Sequence, residues 1–122
     1  MYGDDTIIGD KGVNLNEGQK ARISLARAVY ADKDIYLMDD PISHIDDRAS
    51  VKILHSCIGG ALNGKTRILV TSATNALSYS DYIVVMEMGK IKMVGTYEEV
   101  MSDSEYSEIT ELSIRQERSP GK

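Results

Sequence analysis

A short, unbroken apolar run that ends in two aspartates constrains the fold of this chain more than any other feature. The run is Ile35-Tyr36-Leu37-Met38, and Asp39-Asp40-Pro41 follows it directly. Continuous rather than alternating apolarity is typical of a central strand in a parallel sheet, where both faces are covered. Pro41 lacks an N–H for the ladder and ends the strand. Together with helix signals on either side, the run predicts a layered α/β fold.

Two longer helices are predicted from their capping residues. Asn16 and Gln19 have the spacing of a capping box, and Glu17 lies in the first turn. Asp46 is the predicted N-cap of the second helix, and Gly59-Gly60 is predicted to end it. The first helix carries two neighbouring apolar faces, which predicts burial against more than one element. One face holds Ile23, Ala26 and Tyr30, and the other holds Leu25, Ala28 and Val29.

Further apolar segments predict three more strands and a C-terminal β-hairpin. The predicted strands are residues 67–71, 82–86 and 91–94. A turn at Met88-Gly89 joins the last two, and a capping box at Thr96 and Glu99 opens a short helix. The chain becomes polar from Ser102. We therefore expect a folded part over residues 1–101 and a polar tail over residues 102–122, weakly helical and then disordered.

Charge and composition exclude several classes of function. The 122 residues carry a net charge of −5, which argues against nucleic acid or an anionic membrane as the main partner. Cys57 is the single cysteine, so no internal disulfide can form and a reduced cytosolic setting is predicted. No apolar run is long enough to span a bilayer. The acidic N-terminus has no apolar signal-peptide core, so any role at a membrane would depend on another component.

Two segments carry residue types that suit nucleotide chemistry. Asp39 and Asp40 follow a strand, where ligands bind in open α/β sheets, and a carboxylate there can hold Mg²⁺. Residues 15–19 open a helix whose free N–H groups and dipole favour phosphate, and Gly18 permits close approach to the backbone. Each segment taken separately has a structural alternative, namely an acidic turn before a proline and a well-capped helix.

The order of four segments resembles the nucleotide-binding domain of ABC transporters. The similarity is to the first such domain of the C subfamily, the multidrug-resistance-associated type, and covers roughly residues 4–101. The four segments are residues 14–30, 34–41, 43–46 and 66–71. The resemblance implies the C-terminal half of a P-loop NTPase-like three-layer α/β fold, with a mainly parallel sheet and a C-terminal β-hairpin.

The same resemblance implies a function and its partners. It implies ATP and Mg²⁺ as cofactors and a role in coupling ATP binding and hydrolysis to transmembrane transport. A second nucleotide-binding domain would pair with this one head to tail, next to transmembrane domains, and no nucleic acid is expected. The implied location is the cytoplasmic face of a membrane, or the cytosol if the chain stands alone.

The resemblance also implies a role for individual residues. The signature segment, residues 15–19, would contact the γ-phosphate of ATP held by the partner domain. Asp39 stands at Walker B and would hold Mg²⁺ through water, and Asp40 occupies the general-base position. Residues 43–46 occupy the position of the D-loop, which crosses the dimer interface in the family. Ser72 occupies the position of the family's switch histidine. The implied nucleotide-contacting residues are Leu15, Asn16, Glu17, Gly18, Gln19 and Asp46.

Departures from the family pattern predict a weakened site. Asp40 replaces a glutamate and is one methylene shorter, and an error of ~1 Å in a catalytic group lowers rates about 10²-fold. Ser72 cannot bridge to the γ-phosphate as histidine does. Glu17 stands in place of a glycine and adds a negative charge. If this carboxylate lay ~4 Å from a phosphate charge near a protein surface, the two would repel each other by about 4 kcal/mol. The family's Walker A loop would precede residue 15, so the chain alone is not expected to hydrolyse ATP.

Residues 59–66, Gly-Gly-Ala-Leu-Asn-Gly-Lys-Thr, match the P-loop pattern letter for letter. A true P-loop follows a strand and opens a helix, whereas the predicted order here is helix and then strand. A small P-loop NTPase that uses Gly59–Thr66 is nevertheless one alternative to the transporter function.

A second alternative is a non-catalytic half-domain that binds a complete ABC subunit.

Overall fold

The computed structural model describes residues 15–108, which divide into two compact units after Ala76. The elements of the first unit are α1 (Glu17–Tyr30), β1 (Ile35–Asp39), α2 (Asp47–Ile53), a π-helical segment (Leu54–Ala61) and β2 (Thr66–Val70). A 3₁₀ helix follows over Thr74–Tyr79. The second unit contains β3 (Ile83–Glu87), β4 (Lys90–Gly95) and α3 (Tyr97–Met101). Among the described helices, none is both long and apolar enough to cross a bilayer.

Helix α1 begins where the capping box predicts. The Asn16 side chain accepts a hydrogen bond from the Gln19 N–H at 2.8 Å, and the Gln19 side chain accepts one from the Asn16 N–H at 3.0 Å. Leu25 is buried, and the face that it shares with Ala28 and Val29 packs on the core. The face of Ile23, Ala26 and Tyr30 is less covered in the described structure, since Ile23 is half-buried, Ala26 is exposed and Tyr30 is 93% exposed.

Strands β1 and β2 pair in parallel, with Ile35 opposite Thr66 and Asp39 opposite Val70. Tyr36 and Met38 of β1 are buried, whereas Ile35 and Leu37 are 61% and 76% exposed. The expectation of a strand covered on both faces therefore fails within the described residues, since only one layer packs on this sheet. The mixed α/β class is confirmed, and the three-layer P-loop NTPase-like arrangement stays a prediction.

Helix α2 is capped as predicted, and helical bonding continues through the π-helical segment, past the predicted end at Gly59-Gly60. Asp46 Oδ1 accepts a hydrogen bond from the Ala49 N–H at 3.0 Å. Gly59 and Gly60 lie inside the π-helical segment and do not end it. The reason is that the backbone bonding continues, with the Leu62 N–H donating to the Cys57 carbonyl at 2.9 Å. The chain reverses instead at Gly64, whose φ of +81° favours glycine.

The core of the first unit lies between α1, β1 and the helix formed by α2 and the π-helical segment. Leu54 is fully buried and Leu62 is 2% exposed. Truncating a leucine at such a position to alanine typically lowers stability by about 2–5 kcal/mol. Through Leu25 and Met38, this core holds the second half of α1 against β1. Its buried residues are Leu25, Tyr36, Met38, Ile42, Leu54, Ile58, Leu62 and Ala76.

The second unit confirms the predicted hairpin and its short helix. Strands β3 and β4 are antiparallel, and the connecting residues Met88 and Gly89 have φ of 48° and 75°, as a tight hairpin turn requires. The Thr96–Glu99 capping box forms at the start of α3. Residues 104–108 are helical, and Tyr106 packs in the core of this unit. The predictions for residues 1–14 and 109–122 lie outside the described residues.

Candidate functional site

The first turn of α1 presents two backbone N–H groups that the helix itself does not use. The capping box engages the N–H groups of Asn16 and Gln19, and the Lys20 N–H donates to the Asn16 carbonyl at 3.0 Å. In the part of the chain that the structure describes, the N–H groups of Glu17 and Gly18 donate no hydrogen bond. Free donors at the positive end of a helix dipole favour an anionic oxygen such as that of phosphate.

The Glu17 carboxylate does not stand alone at this helix end. Lys20 Nζ lies 3.3 Å from Glu17 Oε1, one turn along α1. Both side chains are largely exposed, so the pair itself contributes about 0–1 kcal/mol to stability. Its relevance is electrostatic, because a counter-charge beside Glu17 reduces the repulsion that this carboxylate would exert on a phosphate.

The signature segment and the D-loop are in direct contact through Gly18. A Cβ atom added to Gly18 would lie 2.8 Å from the carbonyl oxygen of His44. No real Cβ sits that close to a backbone atom, so only glycine allows this approach. The Asp46 carboxylate, at the end of the D-loop, caps α2. The two segments that the sequence places 25 residues apart, counted from Gly18 to Ser43, therefore form one surface.

Asp39-Asp40 and Thr71-Ser72 leave the same edge of the sheet. Asp39 is paired with Val70, and the Asp40 N–H donates to the Val70 carbonyl at 2.7 Å. Asp40 then adopts a φ of 50°, a left-handed conformation that aspartate tolerates better than most residues. Asp39, Asp40 and Ser72 are all exposed. The structure thus brings Asp39-Asp40 and Thr71-Ser72 onto neighbouring strand ends.

A cleft of about 280 Å³ lies between α1 and the carboxyl end of β1. Pockets that enclose a small-molecule ligand usually measure about 300–1,000 Å³. The volume of this open cleft lies just below that range. It is lined by Ala21, Ser24, Leu25, Ala28, Leu37, Met38, Asp39, Asp40 and Pro41.

The donor set around Asp39 fits a metal ion that arrives with phosphate. Within residues 15–108, no group of three or more His, Cys, Asp or Glu side chains could hold a metal ion. Mg²⁺ usually keeps several waters and is bound by one or two carboxylates together with substrate phosphates. The exposed carboxylates of Asp39 and Asp40 meet that requirement, and an independent metal centre is not formed by these residues.

Residues 59–66 are not built as a phosphate-binding loop in this structure. Gly59 to Ala61 form the end of the π-helical segment, and Thr66 begins β2, so the order is helix and then strand. The negative end of a helix dipole disfavours phosphate. Lys65 Nζ lies 3.1 Å from Asp32 Oδ1, and this hydrogen bond raises the pKa of Lys65. The lysine of the P-loop match is therefore engaged within the fold.

Two contacts in this region were not predicted from the sequence. One is the contact between Gly18 and the D-loop, which joins residues distant in the chain. The other is Ser50, which is 3% exposed and donates its hydroxyl to the Ile45 carbonyl at 3.2 Å. A lone serine beside the apolar stripe of α2 was the available signal for the second feature. His44 and His55 are exposed.

No protein-family model matches the chain, but curated relatives do. Metal resistance protein YCF1 of Saccharomyces cerevisiae is 44% identical over 107 residues, covering 86% of this chain and 7% of the relative. A multidrug resistance protein of Leishmania tarentolae is 52% identical over 93 residues, covering 76% and 6%. ATP-binding cassette sub-family C member 3 of Rattus norvegicus is 48% identical over 101 residues, covering 81% and 7%.

The chain spans less than a tenth of the length of these relatives. The matches cover 76–86% of this chain. Identity near one half over such a span means common descent and a shared local fold. Two of the relatives carry multidrug resistance or sub-family C in their names. The chain therefore belongs to the C subfamily of ABC transporter proteins, the multidrug-resistance-associated type.

Proposed function

We propose that this chain supplies the signature, Walker B and D-loop segments of the first ATP-binding domain of a C-subfamily exporter. The observation that carries the proposal is the contact between the start of α1 and the D-loop. It places the unused N–H groups of Glu17 and Gly18 on one surface with residues 43–46. That surface can meet an anion held by another domain. A relative whose name includes ATP-binding cassette supports ATP as the source of that anion.

In this proposal the signature segment completes a site and does not form one alone. A second nucleotide-binding domain would hold most of the ATP molecule, and the α1 N-terminus would donate hydrogen bonds to its γ-phosphate. Backbone donors at a helix end need no side-chain rearrangement to do this. Glycine at position 18 is needed for the approach to His44. Transmembrane domains of the same transporter would place the pair at the cytoplasmic face of a membrane.

The strand-end carboxylates would act on a second nucleotide, bound at this domain's own Walker B. Asp39 would orient Mg²⁺ through a water molecule, and Asp40 would orient the water that attacks the γ-phosphate. When bound, Mg²⁺ neutralises charge that develops on the phosphates. The Asp40 side chain is one methylene shorter than the glutamate of the family pattern, and the Ser72 side chain is too short to reach a γ-phosphate. We therefore propose a site that binds ATP and turns it over slowly.

A non-catalytic half-domain that binds a complete ABC subunit remains a second candidate, and one observation favours it. One face of the β1–β2 sheet is apolar and exposed, with Leu37 76% and Ile68 54% accessible. Parallel sheets are normally covered on both faces. A face of this kind can dock onto another protein surface. The P-loop alternative has no comparable support, because Lys65 is paired with Asp32.

The proposal is tested by exchanging segments between relatives. In the rat sub-family C protein, the matching 101-residue segment is replaced by that of this chain. Mg²⁺-dependent ATP hydrolysis and photolabelling by 8-azido-ATP are then measured in membranes. We expect labelling to persist, and Asp39→Asn to lower the Mg²⁺-dependent labelling of the exchanged segment at least ~10-fold, the usual effect of losing a group that orients a metal's shell.

The matched control is Asp47→Asn, which removes an exposed carboxylate from the first turn of α2. It should leave hydrolysis and labelling within about twofold, since surface substitutions away from special features usually change stability by less than ~0.5 kcal/mol. If Asp39→Asn and Asp47→Asn have the same effect, the assignment of Asp39 is wrong. If the exchanged protein reaches the membrane but is not labelled, the ATP-binding proposal is wrong.

A further inference from the structure

Ser50 is the only polar residue that is buried among the described residues, at 3% exposure. It lies in the first turns of α2, where its backbone N–H donates to the Asp46 carbonyl at 2.8 Å. Its hydroxyl is thus free to bond elsewhere. It points back along the chain, 3.2 Å from the Ile45 carbonyl oxygen and 3.5 Å from that of Ile42. Both carbonyls belong to the loop that contains the D-loop.

The same loop is held at three further points. The Ile45 N–H donates to the Ile42 carbonyl at 3.2 Å, which closes a turn. Ile42 is 2% exposed and lies in the core, and Ile45 packs against that core. The Asp46 side chain caps α2. The carbonyl of His44, between these anchors, is the atom that faces Gly18.

We infer that Ser50 is a positioning residue for the signature segment, acting through the loop of residues 42–46. Its single O–H donates to the Ile45 carbonyl, with the Ile42 carbonyl, which also accepts the Ile45 N–H, as a longer second acceptor. In this way it keeps the loop in the conformation that sets His44 against Gly18. The functional meaning of the inference rests on the proposed function. Its structural content does not, because the hydrogen bond and the contact exist in the chain without a nucleotide.

These contacts predict which amide protons exchange faster when the Ser50 hydroxyl is removed. Without it, the Ile45 carbonyl has no side-chain donor, and the turn over residues 42–45 opens more often. The Ile45 N–H then exchanges faster with solvent. Because the loop abuts Gly18, the neighbouring Gln19 N–H, which is bonded to Asn16 Oδ1 at 2.8 Å, also loses protection. Amides of β1, such as that of Met38, lie in the core and serve as an internal reference.

Two pairs of variants separate the hydroxyl from the size of the side chain. Ser50→Ala removes the hydroxyl from the native residue. Ser50→Thr and Ser50→Val differ from each other in the same hydroxyl but share one shape, so any strain from the added methyl group is common to both. Ser56→Ala removes an exposed serine hydroxyl in the same helical region and is the control.

The experiment measures amide hydrogen exchange on the whole 122-residue chain by NMR. We expect exchange at Ile45 and Gln19, relative to Met38, to be about fivefold faster in Ser50→Ala than in the native chain, as loss of one hydrogen bond implies. Ser50→Val should differ from Ser50→Thr in the same direction, and Ser56→Ala should not differ from the native chain.

Equal relative exchange in Ser50→Thr and Ser50→Val would overturn the inference, even if Ser50→Ala fails to fold. Faster exchange confined to Ile45, with Gln19 unchanged, would also overturn it, because the loop would then not support the signature segment. Failure of the segment-exchanged transporter to bind ATP would refute the proposed function and leave these exchange results standing. The two failures are therefore distinguishable.

Discussion

Replacing Gly18 by alanine sets two known effects against each other. Alanine in a helix is favoured over glycine by up to about 1 kcal/mol. The added Cβ, however, would lie 2.8 Å from the His44 carbonyl oxygen, an atom of a backbone held by the core. Overpacking of this kind lowers stability by about 1–3 kcal/mol. The sum predicts that Gly18→Ala destabilises the chain by about 1 kcal/mol instead of stabilising it.

The assay is equilibrium urea unfolding followed by far-UV circular dichroism. Ala26→Gly, at an exposed position in the same helix, measures the propensity term alone and should destabilise the chain by about 1 kcal/mol. Gly18→Ala should also lower the Mg²⁺-dependent photolabelling of the segment-exchanged transporter, since the displaced loop no longer faces the signature segment. An increase in stability on Gly18→Ala, with Ala26→Gly destabilising as expected, would refute the contact between the two segments.

Three further predictions concern other parts of the first unit. Lys65→Ala should leave photolabelling of the segment-exchanged transporter unchanged, because its ammonium pairs with Asp32, and a loss would support a P-loop at residues 59–66. Asn16→Ala removes the N-cap of α1 and should lower the free energy of unfolding by about 1 kcal/mol, measured in urea, while no change would contradict the capping box. Burial raises the pKa of the Cys57 thiol, so fewer thiolates form near pH 8. Its alkylation by iodoacetamide there should be slower than in the urea-unfolded chain, and equal rates would contradict this.

Local signals predicted element boundaries well. Asn16, Asp46 and Thr96 each cap the helix assigned to them, because a cap depends on side chains within three residues of the helix start. The hairpin turn at Met88-Gly89 was predictable for the same reason. The α/β class followed from the alternation of helix and strand signals along the chain.

Features that depend on distant residues were not predictable in this way. Gly59-Gly60 resembles a helix end, yet the apolar side chains of Ile58 and Leu62 are buried on either side and extend the helical bonding past it. The apolar pattern of β1 indicates cover on both faces, whereas residues 15–108 cover one. An apolar strand pattern reflects all of the surfaces on which the strand packs, whether or not those surfaces belong to residues 15–108.

The candidate site also has some features that were predictable from the sequence and others that were not. The resemblance located residues 15–19 and Asp39-Asp40 by their order alone, and the parallel register of β1 and β2 accounts for the shared edge of Asp40 and Ser72. The approach of His44 to Gly18 and the bond from Ser50 to the loop required three-dimensional packing. His44 and Gly18 are too far apart in the sequence to leave a periodic or capping signal, and a lone serine beside the apolar stripe of α2 was the only signal for Ser50.

The central claim is that the signature segment meets the γ-phosphate of ATP held by another domain. An ATP analogue with a photoreactive azidoanilide on its γ-phosphate tests it most directly, applied to the segment-exchanged transporter with Mg²⁺ and followed by peptide mapping. The account predicts an adduct within or beside residues 15–19 that excess ATP prevents. An ATP-protected adduct on residues 59–66, or adducts only outside this chain's segment, would contradict it.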